Sequence, residues 1–278
     1  DQVMLKIGRI DYANCTPLFL QLEAQLSPTS TEIVHGVPAT LNQRLSLGEI
    51  DICISSSIEF LRHADEYAIL PEHCIGSDGP VKSVLLFTTR PVQELAGQQL
   101  LVTSESATSV ILLQILLKQH WGLADCSVVA TSLPIHEALQ QAPGILLIGD
   151  RALRAATDLE ARYCYDLGQE WKLLTGLPFV YALWLINRSS AKGKEAALKQ
   201  FFSLLGHARD RIIPDAAQLA ARASEAAWFG LEPLADYWRG AITYHLDAAH
   251  LAGLKRFYQL AAQLHLIASA AEPEFYPL

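Results

Sequence analysis

Neutral hydrogen-bonding groups gather where apolar runs of this chain end. Asn14 and Cys15 follow the run from Leu5 to Tyr12, and Ser55, Ser56 and Ser57 follow Ile50 to Ile54. Ser104-Glu105-Ser106-Ala107-Thr108-Ser109 follows Leu100 to Val102, and Gly149-Asp150 follows Ile145 to Ile148. Lys82 and Ser83, in DGPVKS, sit at the start of another long run, Val81 to Thr89. Several of these turns open a helix. A helix start offers backbone N–H groups and a partial positive charge, which suits an anion. Serine, threonine and asparagine side chains add donors without adding charge. The chemistry they suit is the holding of a small anionic ligand by neutral groups. Helix capping alone explains any one such turn; the convergence of four suggests a ligand, with capping as the competing reading.

Other kinds of chemistry fit poorly. The chain has no H-E-x-x-H, G-x-S-x-G, P-loop or G-x-G-x-x-G pattern. Cys15, Cys53, Cys74, Cys126 and Cys164 are dispersed, with no C-x-x-C pair, which reads as reduced thiols and neither a disulfide framework nor a zinc site. The histidines are scattered, and no spacing pairs one with Cys15 as a nucleophile. Asp150 is the carboxylate best placed to line a site, with capping of the helix after it as the alternative, while Asp11 and Glu59 read as surface or capping groups.

The elements that must position these groups alternate. Leu5 to Tyr12 reads as a strand, followed by a helix with Thr16 as N-cap and Pro17 as its first residue. Pro38 to Leu47 reads as a helix and Ile50 to Ile54 as a strand. Ser56 with Glu59 fits a capping box for a helix from Ile58 to Ala64. Beyond Arg90-Pro91 the alternation resumes: a strand at 100–102, a helix at 107–120 capped by Ser106, a strand at 128–130, a helix at 134–141, a strand at 145–148 and a helix at 166–174. Phe179 to Ile186 is a long apolar strand. From Ala191 onward alanine and leucine dominate at helical spacing, with Asp247 as N-cap of a helix through Leu264. This is the grammar of an α/β protein with a helical C-terminal segment. The simplest architecture has two lobes. Residues 1–89 plus 179–278 form the first and residues 90–178 an inserted second, with a cleft between them. Ligands of open α/β sheets sit beyond the carboxyl ends of the strands, where the donor-rich turns fall.

The 278 residues, 51% of them hydrophobic, suffice for such cores. A formal net charge of −8 speaks against a nucleic-acid partner. No apolar run approaches the roughly 18 to 20 residues of a membrane span. The first residues lack the basic and apolar regions of a signal peptide, so a cytoplasmic protein is expected. Nothing in the sequence fixes the oligomeric state.

The stretches GRIDYANCTPLF, GEIDICISSSIEFL, SDGPVKSVLLF, SESATSVILLQILL, ILLIGDRAL and TGLPFVYALW, in order from residue 8 to 184, closely resemble the chorismate dehydratase family. That family opens the futalosine route to menaquinone. The resemblance implies a fold like the type II periplasmic binding proteins, a two-lobed Venus-flytrap. It implies a hydro-lyase reaction in which chorismate loses water to give 3-[(1-carboxyvinyl)oxy]benzoate, without metal or redox cofactor. A sister family of the same pathway resembles it in fold but carries a His-Glu pair where this chain reads Gly149-Asp150. Asn14 and Ser83 are then the candidate catalytic groups. The candidate substrate contacts are Ser55, Ser56, Ser57, Ser106, Ala107, Thr108, Ser109, Gly149 and Asp150. The competing expectation is a solute-binding protein of the same fold that captures a small aromatic carboxylate without turning it over.

Overall fold

The computed structural model describes residues 3–103, 105–157 and 163–278. From the N-terminus the chain forms β1 (Leu5–Arg9), α1 (Thr16–Gln25), β2 (Thr31–His35), α2 (Pro38–Ser46), β3 (Ile52–Ser56), α3 (Glu59–Arg62) and β4 (Tyr67–Ser77). It continues through β5 (Val84–Thr88), β6 (Gln99–Val102), α4 (Ala107–Ile115), β7 (Ser127–Ala130), α5 (Ile135–Gln141), β8 (Gly144–Ile148), α6 (Gly149–Ala156), β9 (Tyr163–Asp166) and α7 (Leu167–Thr175). It ends with β10 (Phe179–Asn187), α8 (Glu195–Arg222), α9 (Ala226–Phe229), α10 (Leu231–Asp236), β11 (Thr243–His245) and α11 (Ala248–Gln263). These elements make two compact units. One comprises Asp1–Gly76, Val180–Leu251 and Ala271–Leu278, the other Ser77–Phe179 and Ala252–Ala270.

The sheet of the first unit has the order β11-β4-β10-β3-β1-β2. β1 runs parallel to β2 and β3, and β10 runs antiparallel to β3. The carboxyl ends of β1, β2 and β3 therefore meet the amino end of β10 along one sheet edge. β3 is apolar and buried from Ile52 to Ile54, as expected of a strand covered on both faces. Gly8 lies opposite Cys53, and a Cβ there would come within 2.5 Å of the Cys53 sulfur, so only glycine lets the two strands close. α8 buries Leu198, Phe201, Leu205, Ala208 and Ile212 at three- and four-residue spacing, a helical stripe turned to the core. Phe201 and Phe19 bracket the fully buried Trp184, with ring centroids 5.3 and 5.9 Å away.

The second unit carries a sheet of order β7-β6-β8-β5-β9. β6 is parallel to β7 and β8, while β5 is antiparallel to β8 and β9. One edge of this sheet thus holds the carboxyl ends of β6, β7, β8 and β9 and the amino end of β5. Leu85, Phe87, Leu101, Ile145 and Leu147 pack with Ala138 of α5 and Ala152 of α6 as its core. Trp171 and Phe179 stack edge-on with Phe257 of α11, at 6.4 and 4.9 Å from that ring.

Several sequence expectations change in detail. β1 stops at Arg9, and Tyr12 to Cys15 form a turn. α1 begins at Thr16 itself, with Cys15 in the N-cap position and no side-chain cap. Ser56 stays in the ladder opposite Ala182, and α3 starts without a side-chain cap, so the Ser56–Glu59 capping box does not form. Glu59 is buried beside Arg62 and His63. β2, β4 and β9 were not evident from periodicity. β4 contains Pro71 and bends at Glu72, whose φ of 71° breaks the alternation. The second unit begins at Ser77 rather than 90 and includes residues 252–270, because β5 pairs only within the second sheet and α11 packs on Trp171 and Phe179.

Candidate functional site

The Tyr12–Thr16 turn lies at the carboxyl end of β1. Its amide groups are served locally, since the N–H groups of Cys15 and Thr16 donate to the Tyr12 carbonyl at 2.9 and 3.2 Å. The carbonyls of Ala13 and Asn14 are served from far along the chain. Trp238 Nε1 donates to the Ala13 carbonyl at 2.8 Å, and the Tyr244 hydroxyl donates to the Asn14 carbonyl at 2.8 Å. The Thr16 hydroxyl reaches both the Tyr12 carbonyl, at 3.2 Å, and the carboxylate of the buried Glu225. Asn14 is half-buried, and its Oδ1 is shut away from solvent with no partner among the described residues. A buried amide oxygen without a partner is costly in a folded protein unless something else supplies the bond. Cys15 is 3% exposed.

At the end of β3, Ser55 is 1% exposed, with its hydroxyl beside the Cys53 thiol and no oxygen or nitrogen partner among the described residues. Burial pushes the Cys53 thiol up to about 12, so it is no nucleophile at neutral pH. Ser57 is fully buried, and its N–H donates to the Tyr181 carbonyl at 2.9 Å. On the same edge Arg9 pairs with Asp11 at 3.0 Å and with Glu23, its guanidinium 4.9 Å from the Phe19 ring centre. Asn14, Ser55, Ser56 and Ser57 therefore share one edge of the first sheet.

The matching edge of the second sheet gathers the remaining candidates. Ser83 is 3% exposed, its hydroxyl lies 3.4 Å from the Val81 carbonyl, and its own carbonyl accepts from Gly149 N–H at 2.8 Å. Gly149 has a φ of 59°, a left-handed conformation that admits glycine at little cost. Asp150 stands half-buried in the first turn of α6. Ser106 caps α4 by accepting from Ser109 N–H at 3.2 Å, so one of its lone pairs is spent on the helix. Thr108 and Ser109 are buried and Ala107 half-buried in that first turn. Ser104 lies outside the described residues.

The segment ahead of Ser83 is held by Asp166. Its carboxylate accepts from Val81 N–H at 3.0 Å, Lys82 N–H at 2.7 Å, Gly168 N–H at 3.0 Å and Gln169 N–H at 3.2 Å. Burial pushes the Asp166 carboxyl above its usual range, and the N–H groups only partly offset this. Lys82 itself has a φ of 65°, unfavourable for a residue with a side chain. Asp166, Glu225, Trp238 and Tyr244 escaped the sequence reasoning. Trp238, Tyr244 and Asp166 reach backbone groups, and Glu225 the Thr16 hydroxyl, across 84 or more residues of chain that no local spacing encodes.

Solved structures with this fold include the alkanesulfonate-binding protein SsuA of Xanthomonas axonopodis pv. citri, with a TM-score of 0.73 at 18% identity over 98% of this chain and 97% of that one. The periplasmic aliphatic sulphonate binding protein SsuA of Escherichia coli gives 0.72 at 17% identity over 100% and 94%. The fold is thus that of the periplasmic binding proteins. Residues 5–263 match a family model described as menaquinone biosynthesis. A curated chorismate dehydratase of Thermus thermophilus is 33% identical over 98% of both chains, and one of Campylobacter jejuni is 26% identical over 93% of this chain and 98% of its own. The chain belongs to this menaquinone-biosynthesis family.

Proposed function

We propose that the chain is a hydro-lyase that converts chorismate into 3-[(1-carboxyvinyl)oxy]benzoate. The carbon bearing the enolpyruvyl ether loses its proton, its neighbour loses hydroxide, a C=C bond forms between them and water departs. Aromatisation of the ring supplies the driving force. The observation that carries the reading is Asn14: a side chain whose turn is braced by other groups and whose buried amide oxygen, with no partner among the described residues, can accept from the leaving hydroxyl of the substrate, in a chain 33% identical to a chorismate dehydratase.

Chorismate carries two carboxylates, groups that neutral donors of the kind found on either edge suit. The first edge offers Asn14 and Ser55; the second offers Ser83, the α4 start at 106–109 and Gly149. A substrate carboxylate serves as the base, oriented by donation from the Asn14 side-chain N–H. Asp150, a carboxylate, would repel a dianion and does not take the proton. The relatives' chemistry and five cysteines that form no disulfide suit a cytoplasmic enzyme. Among the described residues no helix is long and apolar enough to cross a membrane.

Incubation with chorismate, read by mass spectrometry for loss of one water, tests the reaction. Binding without product would leave solute capture as the function. Asp150→Asn tests the base. A loss of several orders of magnitude in turnover with binding intact would return the proton to Asp150.

A further inference from the structure

The start of α1 leaves two carbonyls stranded. In a regular helix the Ala13 carbonyl would accept from residue 17, but residue 17 is proline and has no N–H. The Asn14 carbonyl would accept from Leu18, whose N–H goes instead to Cys15 at 3.1 Å. These are the two carbonyls that Trp238 and Tyr244 serve, 225 and 230 residues further along the chain. Both rings are buried, at 0% and 7% exposure, so neither polar tip has water as an alternative. Trp238 lies in a π-helical turn, Tyr237–Ala241, the kind of local irregularity that often accompanies function. Burial holds the Tyr244 hydroxyl well above its ordinary range, so it stays a donor at any working pH.

We propose that Tyr244 and Trp238 are positioning residues that set the aim of the Asn14 amide. They grip the backbone on either side of the Asn14 Cα, through the carbonyls of residues 13 and 14. With those carbonyls held, the turn keeps one conformation, and the side-chain amide has no backbone partner to collapse onto. The helical C-terminal segment thereby acquires a role beyond packing: it braces the turn from which Asn14 projects. This rests on the reading of Asn14 as a substrate contact.

Tyr244→Phe removes the donor and keeps the ring. Turnover should fall about 10- to 100-fold, as expected when a reacting group is displaced by about an ångström, with KM within about twofold. The decisive readout is the double-mutant cycle. In an Asn14→Ala background Tyr244→Phe should cost nothing further, because its effect runs through Asn14. Trp238→Phe should show the same dependence if Tyr244→Phe fails to fold. The Asn14 side-chain amide resonances, identified by their disappearance in Asn14→Ala, should shift or broaden in Tyr244→Phe. Equal losses with and without Asn14, or unmoved amide resonances, would overturn the proposal. The resonance test needs no turnover. A wild-type protein without chorismate dehydration would therefore sink the functional reading and still leave the positioning role to be decided by the spectrum.

Discussion

At Ala13 and Asn14 the backbone presents carbonyls, and two neutral side chains donate to them. At Val81 and Lys82 it presents N–H groups, and one carboxylate accepts them. Both arrangements fix a short segment that carries a candidate catalytic residue, Asn14 in one unit and Ser83 in the other. They differ in what can disturb them. Trp238 does not titrate, and the Tyr244 hydroxyl ionises only far above neutral pH. Asp166 titrates, and burial has already moved it upward. The first brace should be indifferent to acid, and the second should not.

The sharpest break in the comparison is at the residues themselves. Asn14→Ala should lower turnover by about 100- to 1,000-fold, the range for loss of one preorganised hydrogen-bonding group. Its melting temperature should hold, because the Asn14 Oδ1 has no partner among the described residues to lose. Cys15→Ala, a change in packing only, should be much milder in turnover. If stability and activity fall together in Asn14→Ala, the side chain is structural.

Next in size are two pH effects of opposite sign. His73 is buried with its ring edge toward Phe202, and burial, with Arg209 nearby, pushes its pKa down to about 3. A histidine depressed in the folded state contributes stability that is present above its unfolded value of 6.5 and lost as pH falls toward 3. The full effect is on the order of a few kcal/mol. His73→Leu should flatten that limb in denaturation measured from pH 7 to 4. Asp166 runs the other way. A carboxyl raised in the folded state favours the native protein at low pH, so its contribution falls as pH rises from 3.8 through its raised value. Asp166→Asn should abolish that slope. It should also cost about 1 to 3 kcal/mol in urea denaturation at pH 7, since Val81 and Lys82 N–H groups lose a charged acceptor. A variant as stable as wild type would show that the 81–83 segment does not depend on Asp166.

The smallest effect contrasts a spent side chain with an unspent one. Ser106 already caps α4, so Ser106→Ala should cost ~1 kcal/mol of stability. A larger loss in turnover than in stability would move Ser106 into the same group as Asn14.

Local signals were legible wherever one residue's job depends on its immediate neighbours. Ser106 caps α4 and Asp247 caps α11 as their sequence contexts suggest, Asp247 accepting from His250 N–H at 2.8 Å. The alternation of apolar runs and helices gave the α/β class. The capping box at Ser56 misled because a ladder partner, Ala182, holds Ser56 in β3, and ladder pairing outweighs a local cap. Glu59 reads as a surface or capping group by its type, yet the fold buries it while its partners Arg62 and His63 stay partly in solvent. The braces on Asn14 were illegible for a different reason. Nothing near residue 14 names Trp238 or Tyr244, and nothing near residue 244 announces a tyrosine hydroxyl aimed at a backbone carbonyl.

Pro17 is the small feature with the widest reach. By withdrawing one N–H from the first turn of α1, it leaves the Ala13 carbonyl to Trp238, and with Tyr244 on the Asn14 carbonyl the grip on residues 13 and 14 runs through main-chain oxygens. The side chain at 14 takes no part in its own support. Position 14 is thus an interchangeable tool-holder. Another polar residue put there would be presented at the same place, so this edge could be retooled for new chemistry one codon at a time.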